Sequence, residues 1–254
     1  MRTTMRNLSL ACAALIGLAA CDDGVTNSIA FDEEGLIIDA ALVAADGMFQ
    51  DLALMSTPKT GAGLAATYDT NGTEVEGSTA FSRTRTFYDA LGVEQDRYDP
   101  ESTASVHTVT SVERNVSHTF WSAAIDRDRD MWVTGLEGEE TQRTWNGTGT
   151  GDVQRSRHPE DGSERTYDMQ SSSVVEDVVR GVPRNEFPYP LSGTITRTIH
   201  AVITIDGVEE VRDVVVVITF DGDNTATMDV NGEIFEVDLD ERGVKKRFQR
   251  KNKK

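Results

Sequence analysis

Cysteine is scarce: the 254 residues contain two, Cys12 and Cys21, both near the N-terminus. The remainder of the chain therefore offers no thiol for a disulfide framework, a zinc cluster or a cysteine nucleophile. Histidine is thin as well. His107, His118, His158 and His200 stand singly, without the paired spacing that zinc sites use. There is no G-x-S-x-G elbow and no phosphate-cradling glycine loop, which removes two common routes to hydrolysis and nucleotide chemistry. Basic residues are few beside acidic ones, 25 against 43, for a net charge of −18. A field of that sign repels phosphate backbones, so nucleic acid is not an expected partner of the body. No apolar run reaches the roughly 20 residues that a spanning helix needs.

What is present begins at the N-terminus. Arg2 and Arg6, with no acid beside them, precede the apolar run Leu8–Ala19, and Asp22-Asp23-Gly24 follows it. A basic start, a short apolar core and small residues at its end describe a secretory signal rather than a membrane span. The run closes on Leu18-Ala19-Ala20-Cys21, which resembles the lipobox of bacterial lipoproteins. The resemblance covers those four positions only. It implies that residues 1–20 are a cleaved signal peptide and that the Cys21 thiol carries a diacylglycerol. It also implies a further acyl chain, such as palmitate, on the new amino group. Two or more chains anchor a protein stably where one does so only marginally. The expected location is the cell envelope, with the body on the periplasmic or extracellular side and the membrane as its first partner. Asp22 resembles the inner-membrane retention signal of enterobacterial lipoproteins, a rule that does not extend to all bacteria, so inner and outer membrane both stay open.

Beyond Cys21, residues 21–34 are short, polar and acidic, as a tether should be. Residues 36–55 are rich in Ala and Leu and end at Ser56-Thr57-Pro58, which predicts one helix. Ile37, Ala41, Ala44, Met48 and Leu52 fall in line on it, beside Leu36, Ala40, Val43, Gly47, Gln50 and Leu54. Asp39, Asp46 and Asp51 are expected to look outward, and Gly47 to weaken or kink the helix. The helix is expected to pack on a sheet.

From Phe81 the pattern becomes short alternating runs. Thr194–Ile205 places Ile195, Ile199, Ala201, Ile203 and Ile205 on one face. Asp206-Gly207, Asp221–Asn224 and Asn231-Gly232 then turn the chain through Val208–Phe220, Ala226–Val230 and Phe235–Leu239, a four-strand antiparallel meander. The strand 208–220 is apolar on both sides, which predicts a central strand covered twice. Earlier candidate strands are Ala80–Tyr88, Val106–Arg114, Val116–Ala124, Asp130–Thr134, Glu139–Trp145, Thr150–Ser156 and Glu164–Ser172. Arg-Thr before an apolar or aromatic residue recurs at Arg85, Arg143, Arg165 and Arg197. Pairing of those arginines with cross-strand acids is the expected role, ahead of an anion-binding sheet. Pro183, Pro188 and Pro190 mark a strap crossing one domain, with Phe187, Tyr189 and Leu191 available to cap an end of the sheet.

These readings give a mainly β fold: one antiparallel curved sheet or incomplete barrel, a meander with one N-terminal helix packed on it. Its organisation is signal 1–20, tether 21–34, a single β-rich domain 35–244 with helix 36–55, and a basic disordered tail 245–254. That tail holds seven basic residues and no acid. It is read as a solubilising end, with contact to anionic headgroups or to the acidic body as alternatives. Asp126, Asp128, Asp130 and Glu137 occupy positions 1, 3, 5 and 12 of an EF-hand-like spacing, a weak calcium candidate. Met131 stands where that loop needs Gly, and Arg127 and Arg129 oppose a cation. No catalytic residues are assigned and no cofactor is expected beyond the covalent lipid on Cys21. The functional expectation is a non-enzymatic, membrane-anchored lipoprotein that binds or interacts with an unknown ligand or envelope protein. Alternatives are a periplasmic carrier of a lipid or other apolar ligand in the sheet's concavity, and a hydrolase using carboxylates that the sequence does not locate.

Overall fold

The computed structural model describes residues 33–56, 76–118, 121–157, 165–241 and 243–246. The residues read as signal peptide (1–20), Cys21, the expected tether up to residue 32 and residues 247–254 of the expected tail lie outside them. Helix α1 runs Glu33–Met55 and is followed by eleven strands. These are β1 (Glu76–Asp89), β2 (Glu94–Gln95), β3 (Thr103–His118), β4 (Trp121–Thr134), β5 (Gln142–Arg157) and β6 (Arg165–Gly181), then β7 (Pro190–Ile205), β8 (Val208–Thr219), β9 (Thr225–Val230), β10 (Glu233–Asp238) and β11 (Gly243–Lys246). They form one antiparallel sheet in the order β11-β10-β9-β8-β7-β6-β5-β4-β3-β1-β2. The sheet does not close: β2 and β11 are its two ends. The expected mainly β meander with one N-terminal helix is the fold observed.

The hairpin signals between β7 and β10 act as their chemistry dictates. Asp206 and Gly207 have φ of 49° and 80°, and Asn231 and Gly232 have 49° and 90°. Two successive left-handed residues make the type I′ turn that matches strand twist, and Asn, Asp and Gly adopt it at least cost. Elsewhere the strands are longer than their sequence suggests. Val116–Ala124 is no strand of its own: β3 runs through His118 and β4 starts at Trp121. The candidates Glu139–Trp145 and Thr150–Ser156 fuse into β5, because Gly147 and Gly149 continue the ladder rather than interrupt it. β8 is covered on one side only, since Val211 is 51% exposed while Val216 is buried. The proline-rich segment 182–189 joins neighbouring strands β6 and β7 and crosses nothing. Its Tyr189 hydroxyl donates to Asp240, two residues beyond β10. Glu33 and Glu34, read as tether, are helical, and Lys245 and Lys246, read as tail, pair with Glu236 and Phe235.

One face of the sheet is turned to the helix. α1 lies close to β7, β8, β9 and β11 and sends side chains to β4 and β6 as well. From β4 to β11 a flat sheet would measure roughly 34 Å at 4.8 Å per strand. The helix does not lie across the strands: its Asp39 and Leu52 both meet β6, at Tyr167 and Arg180, so α1 runs along the sheet and reaches β4 and β11 because the sheet curls around it. Ile37, Ala40, Ala41, Ala44, Ala45, Met48 and Met55 are buried on its inner side. Small Ala side chains let the helix approach the strands closely, where Met228, Phe235 and Ile218 fill the space.

Gly47 answers a tighter demand. A Cβ there would stand 2.8 Å from the Arg197 guanidinium carbon, and α1 is continuous through the position. The residue admits an arginine rather than a kink. Gly47→Ala should therefore fail to deliver the gain of up to about 1 kcal/mol expected of an exposed helix site. Urea unfolding should instead show a loss of about 1–3 kcal/mol, as overpacking produces.

Candidate functional site

Asp39 and Asp51 of α1 do not look outward, whereas Asp46 stays exposed as expected. Asp51, 1% exposed, accepts Nε of Arg129 on β4 at 2.6 Å through Oδ1 and Nη2 of Arg197 on β7 through Oδ2. Both arginines are themselves buried. Arg129 also donates Nη1 to the carbonyls of Asp128 and Thr150, at 2.7 and 2.8 Å. Asp46 accepts Nη1 of Arg127 at 2.9 Å while remaining half exposed. Asp39, buried about two helical turns before Asp46, accepts the Tyr167 hydroxyl of β6 at 2.6 Å. Tyr167 receives Nη1 of Arg165 at 3.3 Å.

The helix C-terminus is held by the same chemistry. α1 has no basic residue in its last turn, and its final carbonyls have no partners within the helix. Arg180 of β6 supplies both donor and charge: its Nη1 reaches the Leu52 carbonyl at 3.2 Å and its Nη2 the Pro188 carbonyl at 3.1 Å. A cation at that end also complements the helix dipole. The planar, forked and always charged guanidinium suits such multidentate contacts better than a lysine would.

Sequence patterning carries these side chains to one face. In β4 the odd positions Ala123, Arg127, Arg129, Met131 and Val133 are buried and the acids between them exposed. In β7 Arg197 is in phase with Ile195 and Ile199. On β5 the inner positions opposite Arg127, Arg129 and Met131 are Gly151, Gly149 and Gly147. A Cβ on Gly149 would lie 2.6 Å from Cδ of Arg129, so glycine gives that arginine a bed to cross. Electrostatics follow burial. Desolvation pulls the Arg197 guanidinium down to about 10, against Asp51, which holds it up, and with Arg129 and Arg127, which repel it. Burial brings Arg180 to about 10, helped by the charges of Arg184 and Arg143. Tyr167 is raised, first by burial and then by its hydrogen bond to Asp39.

The calcium candidate is dispersed. Asp126, Asp128 and Asp130 sit on β4 and project alternately with the arginines onto the outer face, while Glu137 lies in the following loop. Carboxylates two residues apart along a strand are separated by roughly 6.6 Å per step, so the set does not converge as an EF-hand loop does. Asp130 is engaged by His107 Nε2 at 2.7 Å, and His107 stacks on Trp132 with ring centres 4.5 Å apart. Among the described residues no group of three or more His, Cys, Asp or Glu is placed to hold a metal. Two of the recurrent arginines take acids that are not cross-strand: Arg197 takes Asp51 of the helix and Arg143 takes Glu140 three residues away at 2.6 Å; Arg165 donates to the Tyr167 hydroxyl. Chemically this face is a fixed set of cationic donors in a water-poor setting. It can receive carboxylates and comparable oxyanions. Comparison with family models, with curated proteins and with solved structures yields no match.

Two outcomes follow. Asp51→Ala leaves two buried guanidinium groups without their counter-charge and should cost about 3–5 kcal/mol in denaturant unfolding, whereas Asp46→Ala, which removes a half-exposed carboxylate from one buried arginine, should cost less, about 1–3 kcal/mol. Tyr167→Phe should cost about 1.5–3 kcal/mol at neutral pH, the range for a hydrogen bond to a charged group. Because the folded-state Tyr167 pKa is raised above 10.0, that contribution is fully present below pH 10 and is lost as pH rises through the folded value. The gap between wild type and Tyr167→Phe should therefore narrow above pH 10, read by unfolding both proteins along a pH series.

Proposed function

We propose that the chain is a bacterial cell-envelope lipoprotein, anchored through acylated Cys21, whose β domain is a non-enzymatic binding or interaction module. The observation that carries the second half of this reading is the bridge made by Asp51 between Arg129 and Arg197. It makes α1 an integral part of the inner face. A carrier of apolar ligands would keep that face for its cargo and line it with hydrocarbon; here the chain's own helix occupies it, and arginines and aspartates stand between helix and strands. Recognition is then left to the outer surface of the sheet. There Val109, Trp132, Val174 and Val215 are each around two-fifths exposed, among threonines and acids. The anchoring half rests on the basic start, the apolar run and Leu18-Ala19-Ala20-Cys21. The envelope supplies the anchor and positions this surface towards the periplasm or the exterior.

Mass spectrometry of protein purified from its own envelope checks both halves. The expected result is an N-terminal peptide beginning at Cys21 with acyl mass on it, and no stoichiometric apolar ligand retained under native conditions. A chain still carrying residues 1–20, or an unmodified Cys21, would overturn the anchor. A co-purifying lipid in one-to-one ratio would overturn the interaction module in favour of the carrier.

A further inference from the structure

The strand register lays one continuous row across the inner face: Arg83 of β1, Thr110 of β3, Arg129 of β4, Gly149 of β5, Ser173 of β6 and Arg197 of β7. Three arginines are separated by small side chains. Asp51 of the helix supplies the counter-charge of two of them, Arg129 and Arg197, with Nε of Arg197 left unpartnered. The third is different. Nε, Nη1 and Nη2 of Arg83 are all buried, and none has a hydrogen-bond partner. The Phe81 ring lies 4.9 Å from its guanidinium carbon, which gives the cation a π-face but satisfies none of its N–H groups.

Its neighbours share the condition. Thr110, directly opposite Arg83, and Thr108, opposite Arg85, are buried, and the Oγ1 of each is without a partner. Arg85 is two residues along β1 and so projects to the same side, which brings a second positive charge to this end of the face. Burial lowers Arg83, and burial together with the charge of Arg83 brings Arg85 to about 10.

Buried side-chain polar atoms are hydrogen-bonded in the large majority of cases, and each exception asks for an explanation. Arg83 as a whole is partly buried, yet its three nitrogens are cut off from water, and a charge so placed without a counterpart is costly where an apolar side chain would not be. Five donors in one patch, three on Arg83 and one on each threonine, have one complement in common: a compact group with several negatively charged oxygens.

The geometry points to an oxyanion site at the β1–β3 end of the inner face, in which Arg83 binds a carboxylate or phosphate group in a forked contact and the Thr110 and Thr108 hydroxyls donate to its remaining oxygens. The protein already contains the template, since Asp51 is held by Arg129 and Arg197 in the same row. The anion is either a free ion or the terminal group of a larger molecule. The inference stands apart from the acyl anchor and from the outer face.

Isothermal titration of the purified full-length protein with inorganic phosphate, acetate and glycerol phosphate at low salt tests it, with chloride at matched ionic strength as the blank. Saturable binding of phosphate or acetate is expected, weakened at least tenfold by Arg83→Gln and at least fivefold by Thr110→Val. Arg97→Gln, at an exposed arginine, should change it less than twofold. Glycerol phosphate binding as tightly as phosphate identifies a terminal group as the ligand, and its exclusion identifies a free ion; either supports the site. Should Arg83→Gln fail to fold, Thr110→Val, nearly the same shape, decides the matter alone. Absence of saturable binding in the wild type overturns the site, as does equal affinity in wild type and folded Arg83→Gln, or in wild type and Thr110→Val.

Discussion

A single carboxylate, that of Asp51, reconciles two arginines which could not otherwise be buried. Arg129 and Arg197 stand on strands three places apart in the sheet, and each is almost wholly removed from water. Desolvating a guanidinium is costly, and the attraction of a buried counter-ion offsets it only with good geometry and with further hydrogen bonds. For Arg129 those conditions are met by Asp51, the carbonyls of Asp128 and Thr150 and the space left by Gly149; Arg197 has the other oxygen of Asp51 and the space left by Gly47, and its Nε stays without a partner. The curl of the sheet and the seat of the helix are two aspects of the same contact. Asp39 with Tyr167, Asp46 with Arg127 and the Leu52 carbonyl with Arg180 extend it along the length of α1.

Charge is thereby divided between the two faces of one sheet. The chain as a whole is acidic, with 43 acidic residues against 25 basic ones, yet the inner face is lined with arginine and the acids of β4 point away from it. Net charge describes the solvent-facing side and is a poor guide to the side facing the helix. An anion-binding sheet sits badly with a charge of −18 only while the two faces are counted together.

Much of the fold was legible. Alternation exposed the strands between Thr194 and Asp238, and Asp-Gly and Asn-Gly dipeptides marked the turns because few other residues accept positive φ there. The strand lengths in the middle of the chain were hidden by residues that usually interrupt strands: an acid–arginine alternation at 126–130 and three glycines at 147, 149 and 151. Both belong to the strands because each serves the inner face. Asp39 and Asp51 were misplaced by treating every polar residue as solvent-facing. Asp51 nonetheless falls in line with Ile37, Ala41, Ala44, Met48 and Met55 at alternating spacings of three and four, and Arg127 and Arg129 are in phase with Met131 and Val133. An ionic residue on an apolar stripe was the available signal. Its partner could not be read, since the pairs lie 78 and 146 residues apart.

That separation governs the order of assembly. From β3 to β11 each strand pairs with the next in the chain, so the sheet can lengthen by local hairpins as the polypeptide appears. The helix is made first, and its counter-charges arrive last: Asp51 waits for Arg129 and then, 68 residues later, for Arg197. Until β7, and after it β8, β9 and β11, are in place the helix has no complete surface to lie on. The N-terminal helix thus docks late onto a sheet that has grown without it, and the first described element of the chain is the one that completes the fold.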